Sequence, residues 1–154
     1  MWRFSLTSQL SVDPDPLWRA CSTLEGVNRE FAPFFRITCP RAFRGRSLLE
    51  APLCDRIFRS WLLLFGVLPV DFDDLCLVLV VEGQGFSERS SMLSMDRWHH
   101  DRWFHATPKG CQITDTVALS PRLPGTGPLL LCITRALFRF RHWKLRRRFG
   151  VVSE

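Results

Sequence analysis

The sequence has no tyrosine, one asparagine (Asn28) and only two lysines, Lys109 and Lys144, although arginine is abundant. Packing does not explain the absence of tyrosine from a chain that keeps thirteen phenylalanines and six tryptophans. The codons of all three rare residues carry adenine in the second position, so the bias is typical of a constraint on the nucleic acid. We therefore expect a reading frame that overlaps another gene or is young.

The sequence also lacks an apolar run long enough to cross a membrane, which requires about 20 residues. The longest apolar block, Trp61 to Val81, contains Asp71, Asp73 and Asp74 near its centre. Each carboxylate would cost about 2.5–3.5 kcal/mol there in a bilayer. Residues 1–12 contain no apolar segment of the kind found in secretion signals. We expect an intracellular protein of the nucleus or cytoplasm, without a transmembrane segment.

The six cysteines include no C-x-x-C pair, the spacing that many structural zinc sites use. Several of them lie within apolar patterns, where a reduced thiol behaves as a small hydrophobic side chain. Because an intracellular compartment keeps thiols reduced, we expect no disulfides. The cysteines are Cys21, Cys39, Cys54, Cys76, Cys111 and Cys132.

Motifs for catalysis and nucleotide binding are missing as well. The chain has no Gly-x-Ser-x-Gly nucleophile elbow and no Walker lysine. Gly83 and Gly85 are followed by Glu88 where a dinucleotide-binding fingerprint requires a third glycine. The carboxylates at 71–74 fit an acidic turn better than a cation site. We expect no enzymatic activity, no catalytic residue, no cofactor and no bound metal.

Residues 96–105 contain the motif Asp-Arg-Trp-x-His twice in tandem. We predict a helix from about Ser87 to His105, on which five residues advance the chain by about 140°. On a strand an odd repeat would likewise invert the faces, so the two copies build no joint site. A metal-dependent enzyme based on His99, His100 and His105 is the third functional alternative.

Alternating apolar and polar residues predict a strand over residues 2–12. A helix then starts at Asp15 and Pro16 and ends at Gly26. Leu53, Ile57, Trp61 and Leu64 share a helical face, which predicts a second helix between Pro52 and Gly66. The elements predicted after it are a strand at 75–81, a β-turn at 107–110 and a strand at 111–119 that is interrupted by Asp115.

We expect an α+β fold: a small single domain of short strands with two or three helices, followed by a basic, poorly ordered tail. The domain spans residues 1–128, and residues 129–154 form a basic, aromatic-rich C-terminal segment. The alternative is a chain that is largely unfolded or folds only on a partner.

The C-terminal segment carries much of the excess positive charge of a chain whose net charge is +6. The stretch from Lys144 to Arg148 resembles a nuclear-import signal. Arginines interleaved with aromatic side chains are also typical of segments that bind phosphates and bases or lie on anionic membranes. The predicted site for nuclear targeting or an anionic partner consists of Arg135, Arg139, Arg141, Lys144, Arg146, Arg147 and Arg148.

These patterns favour a small, basic, non-enzymatic accessory or interaction protein, from a virus or from an overlapping or young frame. Its partner is an unknown protein or a nucleic acid held by the basic C-terminus, with peripheral contact to anionic membrane as a further use. The alternative is a nucleic-acid-binding protein that uses the arginine and aromatic segment. Salt distinguishes the two, because phosphate binding weakens steeply as the salt concentration rises.

Overall fold

A computed structural model describes residues 1–152. Within this range seven strands form one antiparallel sheet in the order β1-β7-β6-β5-β4-β3-β2. The sheet curls into a half-barrel around a long C-terminal helix. The strands are β1 (Trp2–Leu10), β2 (Phe35–Ile37), β3 (Arg56–Leu64), β4 (Leu68–Val81), β5 (Gly85–Met92), β6 (Met95–Thr107) and β7 (Gly110–Pro121).

Three α-helices within the described range complete the fold: α1 (Pro14–Cys21), α2 (Leu24–Phe31) and α3 (Gly127–Phe149). Two short 3-10 turns, Arg41–Phe43 and Leu48–Glu50, lie in the connection from β2 to β3. Helix α3 packs against β1, β7 and α2. The concave face of the sheet is therefore covered by α2 and α3.

Strand β1 confirms the predicted N-terminal strand and pairs with β7 along its whole length. Its alternation places Phe4 and Leu10 in the core, opposite Val117 and Cys111 of β7. The predicted turn at 107–110 is confirmed as the β6–β7 hairpin. A strand with one face on the core alternates apolar and polar residues, so the alternation in the sequence predicted this strand correctly.

The first predicted helix is confirmed only in part. Asp13 occupies the N-cap, and α1 ends at Cys21 rather than at Gly26. A new helix, α2, begins after Thr23, whose side chain accepts a hydrogen bond from the Gly26 backbone N–H at 3.1 Å. The serine and threonine at positions 22 and 23 thus divide one predicted helix into two, because threonine is a good N-cap.

The predicted fold, a small domain of short strands with a poorly ordered tail, is wrong, and so is the alternative of a largely unfolded chain. The seven-stranded sheet encloses two buried apolar clusters, one around Leu10, Phe104 and Ile113 and one around Trp98 and Phe138. The predicted poorly ordered tail is the 23-residue helix α3. Residues 153–154 of the predicted segment lie outside the described residues, and the domain division at residue 128, within the first turn of α3, stays a prediction.

Two predicted helices are strands. Residues predicted as the helix 52–66 form β3, and those predicted as the helix 87–105 form the β5–β6 hairpin. A spacing of four residues, as in Leu53, Ile57 and Trp61, keeps side chains on one face of a strand as well as of a helix. The acidic run at 71–74, predicted as a turn, lies inside β4.

Among the described residues, no helix is long and apolar enough to cross a membrane. All six cysteines carry free thiols, and Cys21 and Cys111 are buried.

Candidate functional site

A cavity of about 400 Å³ lies between the concave face of the sheet and helices α2 and α3. Its volume falls within the range of about 300–1,000 Å³ that is typical of small-molecule sites. Val70 and Ile133 belong to its lining and are 44% and 50% exposed, so the cavity opens between β4 and α3. The apolar wall includes Phe31, Phe35, Leu62, Leu77, Met92 and Trp98.

The polar part of the lining comes mainly from three neighbouring strands and α3. Asp73 of β4, Glu88 of β5, His100 of β6 and Arg141 of α3 all contribute to it. Glu88 accepts a hydrogen bond from the Ser90 hydroxyl at 2.8 Å, and its second oxygen lies 3.6 Å from His100 Nδ1. The cavity therefore combines an apolar wall with a small group of ionisable side chains.

Asp73 is the unusual member of this group. Its Oδ1 is shielded from solvent and is the one buried side-chain oxygen or nitrogen in residues 1–152 that has no hydrogen-bond partner. Burial raises the pKa of Asp73 well above its usual range, and the negative charge of Glu88 and a hydrogen bond between the two carboxyl groups reinforce this rise. The two carboxyl groups therefore resist carrying two negative charges at once.

A fully buried ion network lies behind the polar end of the cavity. Arg102 is 0% exposed, and its Nε and Nη2 donate to the two oxygens of Asp115, each at 2.7 Å. Its Nη1 donates to both oxygens of Glu30, at 2.8 and 2.9 Å. One guanidinium thus joins α2 to the centre of the sheet through charge-assisted hydrogen bonds.

Arg141 connects this network to the cavity. Its Nε donates to Glu30 Oε2 at 2.9 Å, and its guanidinium lies 4.5 Å and 4.6 Å from the ring centroids of Phe31 and Phe138. Cation–π contacts of this kind are strongest when the cation is desolvated. The charge of Arg141 is therefore compensated within the protein.

Asp115 accepts hydrogen bonds from two histidines in addition to Arg102. His100 Nε2 lies 2.8 Å from Oδ1, and His142 Nε2 lies 2.9 Å from Oδ2. Burial alone would raise the pKa of Asp115, but the charge and hydrogen bonds of Arg102, together with the hydrogen bonds of the two histidines, hold the pKa well below its usual range. Asp115 is thus an anion at neutral pH.

His100 lies between this anion and the cavity. Burial lowers the pKa of His100, but its hydrogen bonds to Asp115 and Glu88 outweigh burial and raise the pKa above its ordinary value. The imidazole therefore connects the cavity carboxyl groups to the buried ion network.

Ser8, His142 and Asp115 have the connectivity of a hydrolase triad. Ser8 Oγ lies 2.8 Å from His142 Nδ1, whose ring bonds Asp115 through Nε2. Ser8 is 5% exposed, accepts a hydrogen bond from Arg146 at 2.9 Å and is absent from the cavity lining. A nucleophile needs space for a substrate beside it. We therefore assign these contacts to holding α3 against β1.

The structure does not bring the predicted basic residues together. Arg141 is buried on Glu30, and Arg146 donates to Ser8. Lys144 Nζ donates to the backbone carbonyl oxygens of Arg29 and Ala32. The predicted free basic tail is wrong, because this stretch belongs to the helix α3. Nuclear targeting by these residues stays a prediction. The other four residues of the predicted site are exposed, and their binding to an anionic partner stays a prediction: Arg135, Arg139, Arg147 and Arg148.

The tandem repeat lies on β6, where its two copies face opposite sides of the sheet. Trp98 and His100 point into the core, whereas Trp103 is half-buried and His105 is exposed. His99 is half-buried beside His100. Across residues 1–152, no three His, Cys, Asp or Glu side chains are grouped so that they could hold a metal ion.

Sequence reasoning missed the ion network, although two irregularities marked it. Asp115 interrupts the alternation of β7, and Arg141 falls among apolar positions of α3. A charged residue in an otherwise apolar face is buried only if it is paired. The two irregularities therefore indicate partners of opposite charge, but the identity of Glu30 and Arg102 as those partners depends on the tertiary fold.

A family model described as "Domain of unknown function (DUF8410)" matches residues 8–149. The chain belongs to this family. No curated protein matches this DUF8410 protein.

Solved structures resemble the DUF8410 chain over nearly its whole length. Protein CV1439 from Chromobacterium violaceum has a TM-score of 0.71 at 11% identity, with 97% of this chain and 99% of that chain covered. A START superfamily protein from Mycobacterium smegmatis has a TM-score of 0.66 at 10% identity, covering 96% of each chain. Ara h 8.0201 has a TM-score of 0.59 at 12% identity, with 94% of this chain and 97% of that chain covered. These similarities show a START/Bet v1-like fold.

The predicted accessory protein from a virus or an overlapping or young frame is wrong. A domain-family model covers most of the chain, and the fold recurs in a START superfamily structure. The nucleic-acid-binding alternative depended on a basic tail, and that segment is a packed helix. The metal-dependent alternative has no supporting cluster in residues 1–152. The absence of enzymatic activity stays a prediction.

Proposed function

We propose that this DUF8410 protein binds a small, predominantly apolar molecule in the cavity between the sheet and α3. The observation that carries the proposal is the cavity itself, because it is mostly apolar, opens to solvent and has a few ionisable groups on its lining. Ligand sites usually combine an apolar wall with a small number of polar groups that orient the ligand. Ligand-binding domains occur among the START/Bet v1-like folds that the chain resembles, which supports the proposal.

Packing energetics also support a ligand. Apolar walls without contents lose dispersion contacts, at roughly 24 cal/mol for each Å³ of cavity in core mutants of other proteins. A molecule that fills the space restores those contacts and stabilises the folded state through linkage.

The test is the binding of N-phenyl-1-naphthylamine, a neutral apolar fluorophore, to the purified full-length protein. We expect saturable enhancement of its emission, together with a change in tryptophan fluorescence, because Trp98 lines the cavity. Thr134→Phe places a ring in the cavity from α3 and should weaken binding about tenfold or more.

Arg135→Phe is the matched control, because it adds the same ring to the next, exposed position of α3. We expect it to bind the fluorophore as the native protein does. Absence of saturable binding to the native protein would contradict the proposal. Native-like binding by a Thr134→Phe variant with an unchanged circular dichroism spectrum would contradict it as well.

A further inference from the structure

The polar end of the cavity contains an acceptor without a donor. Asp73 belongs to the cavity lining, and its shielded Oδ1 has no hydrogen-bond partner among residues 1–152. Buried polar atoms are almost always hydrogen-bonded, and each exception requires an explanation. A ligand that supplies the missing donor is the explanation that fits a residue of the cavity lining.

The other cavity groups have partners of their own. Asp71 Oδ1 accepts from the backbone N–H groups of Phe72 and Ser94, at 2.8 and 3.2 Å, and Oδ2 accepts from the Ser94 hydroxyl. Glu88 accepts from Ser90. The unsatisfied acceptor is therefore specific to Asp73 rather than a property of the acidic lining as a whole.

The positive groups of the lining are also occupied. Arg141 donates to Glu30, and His100 is hydrogen-bonded to Asp115. A carboxylate ligand would thus meet cations that already have anionic partners, and it would bring a further negative charge towards Asp73 and Glu88. A hydroxyl or ammonium group meets an open acceptor instead.

We infer that the ligand of the cavity carries a hydrogen-bond donor, a hydroxyl or an amine, on an apolar body, and that this group donates to Asp73 Oδ1. The inference rests on the proposed function, because it concerns the same cavity. It excludes simple fatty carboxylates as preferred ligands. This selectivity opposes the net charge of +6, which by itself would favour anions.

The experiment compares 1-decanol, decylamine and decanoate, which share one apolar chain, as competitors for N-phenyl-1-naphthylamine on the full-length protein. Losing a hydrogen bond to a buried charged or polar group weakens binding by about tenfold. We therefore expect decanol and decylamine each to displace the fluorophore at about tenfold lower concentration than decanoate. Equal or tighter binding of decanoate would overturn the inference.

Asp73→Ala tests the assigned atom, since alanine removes the carboxyl group altogether, whereas asparagine would keep a carbonyl oxygen that can still accept. We expect the preference for decanol over decanoate to fall about tenfold. Asp74→Ala is the control, because the neighbouring Asp74 bonds Arg59 at 2.8 Å and is absent from the cavity lining. An unchanged preference in Asp73→Ala would overturn the assignment.

The two proposals fail in different ways. If the fluorophore binds and all three competitors displace it equally, the cavity is a binding site and only the donor inference fails. If neither the fluorophore nor any competitor binds, the proposed function itself fails. Should Asp73→Ala not fold, the preference of the native protein among the three competitors keeps the inference testable.

Discussion

Replacing Arg102 by methionine is the most direct test of the buried ion network. The substitution keeps most of the apolar length of the side chain but removes a guanidinium that donates four hydrogen bonds to Asp115 and Glu30. Two carboxylates would then remain buried with fewer partners. Removing one partner of a buried ion pair typically costs about 3–5 kcal/mol, a large share of the roughly 5–15 kcal/mol that stabilises a protein of this kind.

The assay is urea unfolding followed by tryptophan fluorescence and far-UV circular dichroism. With a denaturant dependence of about 2 kcal/mol per molar, a loss of about 4 kcal/mol lowers the midpoint by about 2 M. Arg102→Lys keeps the charge but loses the planar fork, so we expect its midpoint to lie between those of the native protein and Arg102→Met.

Arg97→Met provides a matched control, because Arg97 occupies the same place in the other copy of the repeat. Its side chain is 68% exposed, and its nearest recorded acid, Asp96, is 4.0 Å away. Exposed pairs of this kind contribute about 0–1 kcal/mol, so its midpoint should shift by less than about 0.5 M. If Arg97→Met and Arg102→Met lower the midpoint equally, the reasoning about the network is refuted.

Asp115→Asn should be less stable than the native protein at neutral pH. The pKa of Asp115 is lowered in the folded state, so ionised Asp115 stabilises the protein at a pH above the pKa of the unfolded state. This stabilisation is lost as the pH falls through the pKa of the folded state. The difference between the urea midpoints of Asp115→Asn and the native protein should therefore begin to shrink only below about pH 4. Asp73→Asn should be more stable than the native protein at neutral pH, because the raised pKa of Asp73 shows that its ionisation beside Glu88 is unfavourable. A difference between the two urea midpoints that stays constant down to about pH 4 would contradict this. Gly26→Ala would place a Cβ in steric overlap with the Ala20 backbone oxygen, so we expect a loss of about 1–3 kcal/mol in the same urea assay, whereas an unchanged midpoint would contradict the overlap.

The sequence predicted the strands whose two faces differ clearly. In β1 and β7 one face packs on the core and the other faces outward, so the period of two is visible in Phe4 to Leu10 and in Cys111 to Leu119. The stretch 75–81 predicted the end of β4 on a different ground, because it is a continuous run of apolar and β-branched residues without alternation. Local burial determined these patterns, and no tertiary information was needed.

Elements that line the cavity were mispredicted because their inner faces are not purely apolar. In β5 the inner positions alternate as Phe86, Glu88, Ser90 and Met92, so polar residues occur where a core strand would carry hydrophobic ones. In α3 the buried positions include Arg141 and His142, which obscured its packed face. The polar residues of the candidate site are thus the residues that disrupted the sequence patterns of β5 and α3.

The ion network also constrains how the family can change. Its members come from α2, β6, β7 and α3, and Arg141 lies 111 positions from Glu30 in the chain. Losing any one member leaves a buried charge without its partner, whereas replacing several together by apolar residues of similar volume is tolerated in buried ion pairs of other proteins. Substitutions at Glu30, Arg102, Asp115 and Arg141 should therefore occur in concert among DUF8410 proteins, so that these four distant positions evolve as one unit.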